Sequence, residues 1–205
     1  RPGIVIPGQK TTEEELPNQE QLLEQLRRSL RVSSLDHTFE NWQHLPGTEA
    51  AYTAFLALAT RDDCRPLLLC YGGVGNGKTY LCEALAIELY KRQRFVRVLA
   101  MSSIMRLLKA SMQPEGNLPT LDSLLNQFEI AERVIIDDVG MGGSGSSWEY
   151  GQLEDIVCYR YRERLMTVLT TNRDLKELPE RIVSRFSDTD VGLCVLNEGT
   201  DYRRK

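Results

Sequence analysis

A glycine-rich octapeptide constrains the fold of this 205-residue chain more than any other feature. Its sequence, Gly72-Gly73-Val74-Gly75-Asn76-Gly77-Lys78-Thr79, fits the pattern G-x-x-x-x-G-K-[ST] at every fixed position. The apolar run Leu67–Tyr71 before it is typical of a buried parallel strand. Residues 79–92 after it carry leucines at helical spacing. A strand, a glycine-rich turn and a helix in this order predict a loop that binds phosphate, and a chance Lys-Thr after a plain glycine turn is the alternative.

The residue types of this loop suit a magnesium-bound triphosphate. Glycines let the backbone curl with its N–H groups pointing inward, and the positive end of the next helix strengthens this anion site. Lys78 is predicted to contact the β- and γ-phosphates, and Thr79 to offer its hydroxyl to Mg²⁺. We therefore predict ATP and Mg²⁺ as cofactors. The predicted nucleotide contacts are Gly73, Val74, Gly75, Asn76, Gly77, Lys78, Thr79 and Tyr80.

Two adjacent acids end a second apolar run. Val134-Ile135-Ile136-Asp137-Asp138 is typical of a strand whose carboxyl end faces the ligand crevice of a parallel sheet. Asp137 is predicted to hold Mg²⁺, directly or through water. Asp138 is predicted to orient or deprotonate the attacking water. A solvated Asp-Asp turn is the alternative, and the glycine-rich loop upstream argues against it.

Polar residues further along the chain are candidates for sensing the nucleotide. Asn172 follows the apolar run Leu165–Thr171 and is predicted to contact the γ-phosphate or its water, although Asn-Arg-Asp also suits a simple turn. Arg181 and Arg185 share one face of a predicted helix. An exposed arginine there either reaches the γ-phosphate of a neighbouring subunit or is simply solvated. The basic end of the chain, which contains Arg203, is either a frayed tail or part of a second phosphate sensor.

The order of these patterns predicts an α/β fold with three layers, a P-loop NTPase domain with a five-stranded parallel sheet. The predicted strands are Leu67–Tyr71, Phe95–Met101, Arg133–Val139, Leu165–Thr171 and Val191–Leu196. Residues 36–205 are expected to form this domain, with little or no separate lid domain. Residues 1–35 are expected to form an N-terminal arm whose amphipathic helix, near residues 12–31, packs on its own domain or binds a partner.

The composition excludes several classes of protein. A net charge of −4, with 41% hydrophobic and 26% charged residues, fits a soluble globular chain that meets nucleic acid only through a local patch or an assembled oligomer. The five scattered cysteines form no C-x-x-C pair, which argues against a zinc or disulfide framework. No apolar run is long enough to span a bilayer. These features predict a cytoplasmic protein with no membrane partner.

Together, the motifs resemble those of the AAA+ initiator and helicase-loader clade, in particular the DnaC/DnaI replicative helicase loaders and the IstB transposition helper ATPases. The resemblance covers residues 36–205 and includes Thr38-Phe39-Glu40-Asn41-Trp42, which is similar to a short motif before the ATPase core of those proteins. It implies an AAA+ ATPase. The roles that it implies are Walker A for Lys78 and Thr79, Walker B for Asp137 and Asp138, sensor 1 for Asn172, the arginine finger for Arg185 and the sensor 2 arginine for Arg203.

The resemblance also implies partners. Subunits are expected to form a homo-oligomer when ATP is bound, and single-stranded DNA is expected on an inner surface, with Arg106 and Lys109 as candidate contacts. A replicative helicase is the expected protein partner, and a transposase is the alternative. An ATP-gated binding module with little turnover and a small-molecule kinase are interpretations from other classes. The loop Gly140–Ser147 is expected to be a passive linker or a loop that faces DNA or a partner.

Overall fold

The computed structural model describes residues 19–112, 119–140 and 146–202 of the chain. Its centre is a five-stranded parallel sheet in the spatial order β2-β3-β4-β1-β5. The strands are β1 (Leu67–Tyr71), β2 (Arg97–Ala100), β3 (Arg133–Val139), β4 (Met166–Thr171) and β5 (Gly192–Leu196). Helices cover both faces of this sheet, so the predicted three-layer α/β architecture is confirmed.

Seven α-helices surround the sheet within the described ranges. They are α1 (Gln19–Leu30), α2 (Glu49–Thr60), α3 (Lys78–Lys91), α4 (Met101–Ser111), α5 (Leu121–Glu129), α6 (Ser147–Arg162) and α7 (Glu180–Phe186). None of these helices has the length and apolarity that crossing a membrane requires. A short 3₁₀ helix, Leu175–Glu177, follows β4.

The sheet separates two hydrophobic clusters. In β3, Ile135 packs into the cluster under α2 and α3, whereas Val134 and Ile136 pack into the cluster under α4 to α7. Alternate residues of a strand point to opposite faces, so a strand that is covered on both sides is apolar throughout. This burial explains why the central strands could be recognised from uninterrupted apolar runs.

The end of α1 packs into the same hydrophobic core as the rest of the domain. Leu30 and Val32 are buried in the same cluster as α2 and α3, while Leu23 is exposed. This part of α1 therefore packs on its own domain. The predicted start of this helix near residue 12 lies outside the described residues. The division at residue 35 stays a prediction.

One predicted helix is interrupted. The pattern from Asp174 to Phe186 predicts a single helix, but the structure has a 3₁₀ turn and then α7, with Leu178 in an extended conformation between them. Pro179 explains the break, because a proline disfavours helical geometry in the residue before it and supplies no N–H. The predicted capping box of Asp174 and Glu177 is present at the 3₁₀ turn.

Candidate active site

The glycine-rich loop connects the C-terminal end of β1 to the start of α3. Gly75 and Gly77 have φ angles of 76° and 89°, in the left-handed region that favours glycine. A Cβ atom on Gly77 would lie 2.5 Å from Cη2 of Trp42, and one on Gly75 would collide with the carboxylate of Asp201. The backbone curvature and the close neighbours both require glycine at these two positions.

Lys78 is a buried cation at the base of this loop. Lys78 is only 4% exposed. Its Nζ donates to the carbonyls of Gly72 and Gly73 at 3.0 and 2.6 Å and to Oδ1 of Asn76 at 2.9 Å. Burial lowers the pKa of the Lys78 amine, and nearby acids such as Asp138 oppose that effect. All three acceptors are neutral, and no carboxylate in the described part of the chain lies within ion-pair distance of Nζ. The loop therefore holds a positive charge that an anion can neutralise.

Two asparagines fix the loop to the end of the sheet. Asn76 Nδ2 donates to the carbonyl of Asn197 at 2.6 Å, and Asn197 Nδ2 donates to the carbonyl of Asn76 at 3.0 Å. Both residues are fully buried. The pair joins the loop to the residue that follows β5, which holds the curled backbone rigid. No motif in the sequence indicated a role for Asn197.

The structure brings Thr79 and Asp137 together. The Thr79 hydroxyl donates to Oδ2 of Asp137 at 2.8 Å, and the hydroxyl of Thr170 on β4 donates to Oδ1 of the same carboxylate. A hydroxyl beside a carboxylate supplies the oxygen ligands that Mg²⁺ prefers, with the remaining positions left to water and phosphate. These residues fit the predicted metal.

A bulge sets the position of Asp138. The pairing of β3 with β4 shifts in register between Ile136 and Val139, and Asp138 has a φ of 58°. Its N–H donates to Oγ1 of Thr170 at 3.1 Å, and Nδ2 of Asn172 donates to its Oδ1 at 3.2 Å. Aspartate tolerates left-handed geometry better than most residues, and such strain concentrates at functional sites. Asp138 and Asn172 thus meet where β3 and β4 end.

Arg173 holds the chain that leaves this bulge. Its Nε donates to the carbonyl of Gly140 at 2.8 Å, and its Nη1 pairs with Glu177 at the same distance. The arginine therefore fixes the backbone two residues after Asp138. The sequence pattern predicted this position only as part of a turn.

A cavity of about 580 Å³ opens beside the loop, within the range of small-molecule sites. Residues Val74 to Tyr80, Asp138 and Asn172 line part of it. The remaining wall was not assigned to the site by sequence analysis and consists of Ser33, His37, Asn41, Trp42, Gln43 and Tyr202. Trp42 lies 5.2 Å from the ring of Tyr80 and 6.0 Å from that of Tyr202, measured between centroids. The cavity therefore combines a phosphate loop with an aromatic wall.

A buried acid on α3 anchors this aromatic wall. Glu83 is 5% exposed, and its carboxylate accepts hydrogen bonds from the N–H and hydroxyl of Ser33. Nδ1 of His37 lies 2.6 Å from the same carboxylate, and the His37 ring lies 4.3 Å from the Tyr80 ring between centroids, with the two planes tilted by 33°. The segment before α2 is thus fastened to the helix that carries Lys78 and Thr79.

Other predicted site residues lie elsewhere. Arg185 is on α7 and does not line this cavity. Arg203 and most of the loop Gly140–Ser147 fall outside the described residues. Lys109, a candidate DNA contact, forms a 2.6 Å ion pair with the buried carboxylate of Glu149, whereas Arg106 is exposed. Of the two candidates, only Arg106 has no acid beside it in the described part of the chain.

The fold and the site together define a class of protein. A parallel sheet ordered β2-β3-β4-β1-β5, with the glycine-rich loop after β1 and the paired acids at the end of β3, is a P-loop domain of the AAA+ type. A model of the bacterial DnaA ATPase domain matches residues 34–195. The chain belongs to this family, and the match does not single out the helicase loaders within the wider clade.

Curated relatives carry the name chromosomal replication initiator protein DnaA. That of Thermotoga maritima is 31% identical over 182 residues, which cover 81% of this chain and 37% of the relative. That of Pseudothermotoga lettingae is 29% identical over 184 residues, which cover 85% and 40%. The chain thus spans less than half the length of both relatives.

Solved structures share the fold. Domain III of the Thermotoga maritima replication initiation protein DnaA aligns with a TM-score of 0.70 at 26% identity, over 80% of this chain and 68% of that one. A replication initiator DnaA bound to AMPPCP and single-stranded DNA aligns at 0.69 and 24%, over 82% and 51%. The DnaC helicase loader aligns at 0.64 and 18%, over 80% and 98%. The last two comparisons show the fold alone.

Proposed function

We propose that this chain binds ATP with Mg²⁺ and hydrolyses it. The observation that carries the proposal is the meeting of Thr79 and Asp137 at 2.8 Å, next to the buried Lys78, with Thr79 and Lys78 both lining the 580 Å³ cavity. At one edge of the sheet, the site combines a lysine with neutral partners, an oxygen pair for a metal and a second acid. This combination suits a triphosphate. The membership in the DnaA ATPase domain family supports the same activity.

Each residue of the site has a defined task in this proposal. The N–H groups of residues 73–79 and the Lys78 amine hold the phosphates, while Thr79 and Asp137 hold the metal. Mg²⁺, when bound, neutralises charge on the phosphate oxygens. Asp138, held by Asn172, orients a water toward the γ-phosphate and accepts its proton. Trp42 and Tyr202 cover the nucleoside end of the cavity.

Replacing Asp138 with asparagine separates binding from hydrolysis. We expect the Asp138→Asn variant to bind ATP within about threefold of the wild type, because no phosphate or metal contact is removed. Its rate of phosphate release should fall about 100-fold or more, since the group that accepts the proton is lost. Release from γ-labelled ATP measures the rate, and label that appears instead on an added small-molecule acceptor would indicate a kinase. Asp155→Asn, an exposed change on α6, is the matched control. Normal turnover by Asp138→Asn would refute the assignment.

We also propose that ATP joins copies of this chain and that Arg185 reaches the γ-phosphate bound by a neighbouring subunit. The Arg185→Ala variant should bind ATP normally but lose about 100-fold or more in turnover. Mixing it with Asp138→Asn subunits should restore part of the rate, because an intact site then faces an intact arginine. Analytical ultracentrifugation with and without ATP measures the assembly. Unchanged turnover by Arg185→Ala would contradict this role.

The proposed cellular role is the loading of a replicative helicase onto single-stranded DNA in the cytoplasm. The resemblance of the motifs to helicase loaders carries this proposal, and membership in the DnaA ATPase domain family supports a part in the initiation of replication. Capture experiments with the replicative helicase and with a transposase from the same host test the partner. Retention of the helicase but not the transposase is the expected result, and the reverse would contradict it.

Local charge decides where DNA contacts this domain, because the net charge of the chain is −4. Arg106 is exposed on α4 without an acid partner in the described ranges, so we propose it as a phosphate contact, with Lys109 contributing only if it leaves Glu149. Fluorescence anisotropy with a single-stranded oligonucleotide should show weaker binding by Arg106→Ala and a shallower salt dependence. Binding by this variant that equals the wild type at every salt concentration would exclude the contact.

A further inference from the structure

Arg185 is held by an aromatic ring and a backbone carbonyl rather than by an acid. Its guanidinium carbon lies 5.7 Å from the ring centroid of Tyr161, and its Nη1 donates to the carbonyl of Arg181 at 2.6 Å. Its Nε is buried and has no hydrogen-bond partner among the described residues. A guanidinium over a ring face is attracted to it without losing its charge. The Arg185 side chain therefore has a fixed orientation and keeps a positive charge that can bind an anion.

A hydrogen bond fixes the ring beneath Arg185. The hydroxyl of Tyr161, near the end of α6, donates to Oδ2 of Asp188 at 2.5 Å. This bond raises the pKa of Tyr161 and lowers the pKa of Asp188, so the hydroxyl remains the donor and the carboxylate remains charged. Asp188 also accepts from the N–H of Asp190 at 3.0 Å. The ring is thus tied to the turn that follows α7.

The neighbouring arginine on the same helix is arranged differently. Arg181 is exposed, and its Nη1 lies 3.4 Å from the carboxylate of Glu154 on α6. An arginine that already faces an acid has less of its charge available to an external phosphate. Arg185 has no such acid within the described residues. Arg185 therefore has its charge available for an external phosphate, whereas Arg181 takes part in an ion pair within the chain.

We propose that Tyr161 and Asp188 form a platform that positions Arg185 for the γ-phosphate of the adjacent subunit. This inference rests on the proposed function, in which Arg185 acts between subunits. In this proposal Tyr161 acts through Arg185 and makes no contact of its own with the nucleotide or the reacting water, so it is a positioning residue. The ring sets the direction of the guanidinium, and Asp188 sets the direction of the ring.

The experiment measures ATP hydrolysis by the full chain under conditions in which it assembles. Tyr161→Leu removes the ring face and should lower kcat about tenfold, with the KM for ATP unchanged. Tyr161→Phe keeps the ring and should lose only about two- to threefold. Tyr159→Leu is the matched control, because Tyr159 lies on the same helix with Arg162 6.0 Å from its ring and has no part in this platform. This control should hydrolyse ATP at the wild-type rate.

Mixed assemblies distinguish positioning from damage to the fold. Tyr161→Leu subunits mixed with Asp138→Asn subunits should regain much of the lost rate, because the intact Arg185 of the second subunit then faces the intact acid of the first. A full rate for Tyr161→Leu alone would overturn the proposal, as would a loss that mixing does not restore. Normal turnover by Arg185→Ala would instead refute the role of Arg185 itself, and the platform with it.

Discussion

Replacing Lys78 with alanine should weaken ATP binding about 100-fold or more. The variant loses the charge that the loop directs at the β- and γ-phosphates, and a hydrogen bond to a charged group contributes about 1.5–3 kcal/mol. The loop itself should persist, because Asn76 and Asn197 bond through their own amides. Isothermal titration with ATP and Mg²⁺ measures the affinity, and circular dichroism confirms that the variant is folded.

A second lysine on the same helix provides the control for this change. Lys91 is exposed at the end of α3, 3.8 Å from Glu88 and away from the glycine-rich loop. Lys91→Ala should bind ATP as the wild type does, since surface ion pairs of this kind contribute little. Equal affinities for Lys78→Ala and Lys91→Ala would mean that the phosphates bind elsewhere.

Replacing Arg160 with methionine should destabilise the domain by at least about 3 kcal/mol. Arg160 is fully buried, and its guanidinium donates to the carbonyls of Phe128, Glu129, Ala131 and Met166 and to the hydroxyl of Thr167. Methionine fills most of the volume but leaves several buried carbonyls without donors, each at a cost of about 1–3 kcal/mol. Burial lowers the pKa of Arg160 to about 10, so the side chain stays charged near neutrality.

Urea unfolding followed by circular dichroism measures this effect. Arg162→Met is the control, because Arg162 is exposed two residues further along α6 and should change the free energy of unfolding by less than about 0.5 kcal/mol. A free energy for Arg160→Met within about 1 kcal/mol of the wild type would show that the end of α5 and the start of β4 do not depend on this guanidinium.

The sequence was sufficient to predict the five-stranded sheet and the glycine-rich loop. Strands buried on both faces are continuously apolar, and the loop motif requires glycine and lysine at set positions, so both leave a strong local signal. The meeting of Thr79 and Asp137 also follows from local signals, because a parallel sheet brings the ends of its strands to one edge. The functional roles of these residues stay predictions.

Features that depend on contacts between distant parts of the chain were harder to predict from the sequence. The buried face of α6 consists of Leu153, Ile156 and Val157 and continues with Arg160. Its spacing fitted the helical period, yet an arginine is rarely buried without an acid, so the pattern alone did not favour it. The approach of Trp42 to Tyr202 joins residues far apart in sequence, and no periodicity predicts such a contact.

The most direct test of the account is a structure of the chain with Mg²⁺ and a non-hydrolysable ATP analogue. We expect phosphates inside the curve of residues 72–79, the metal against the Thr79 hydroxyl on the side of Asp137, and Asp138 facing the γ-phosphate. An analogue bound outside this loop, or a metal whose neighbours include neither Thr79 nor Asp137, would refute the proposed site.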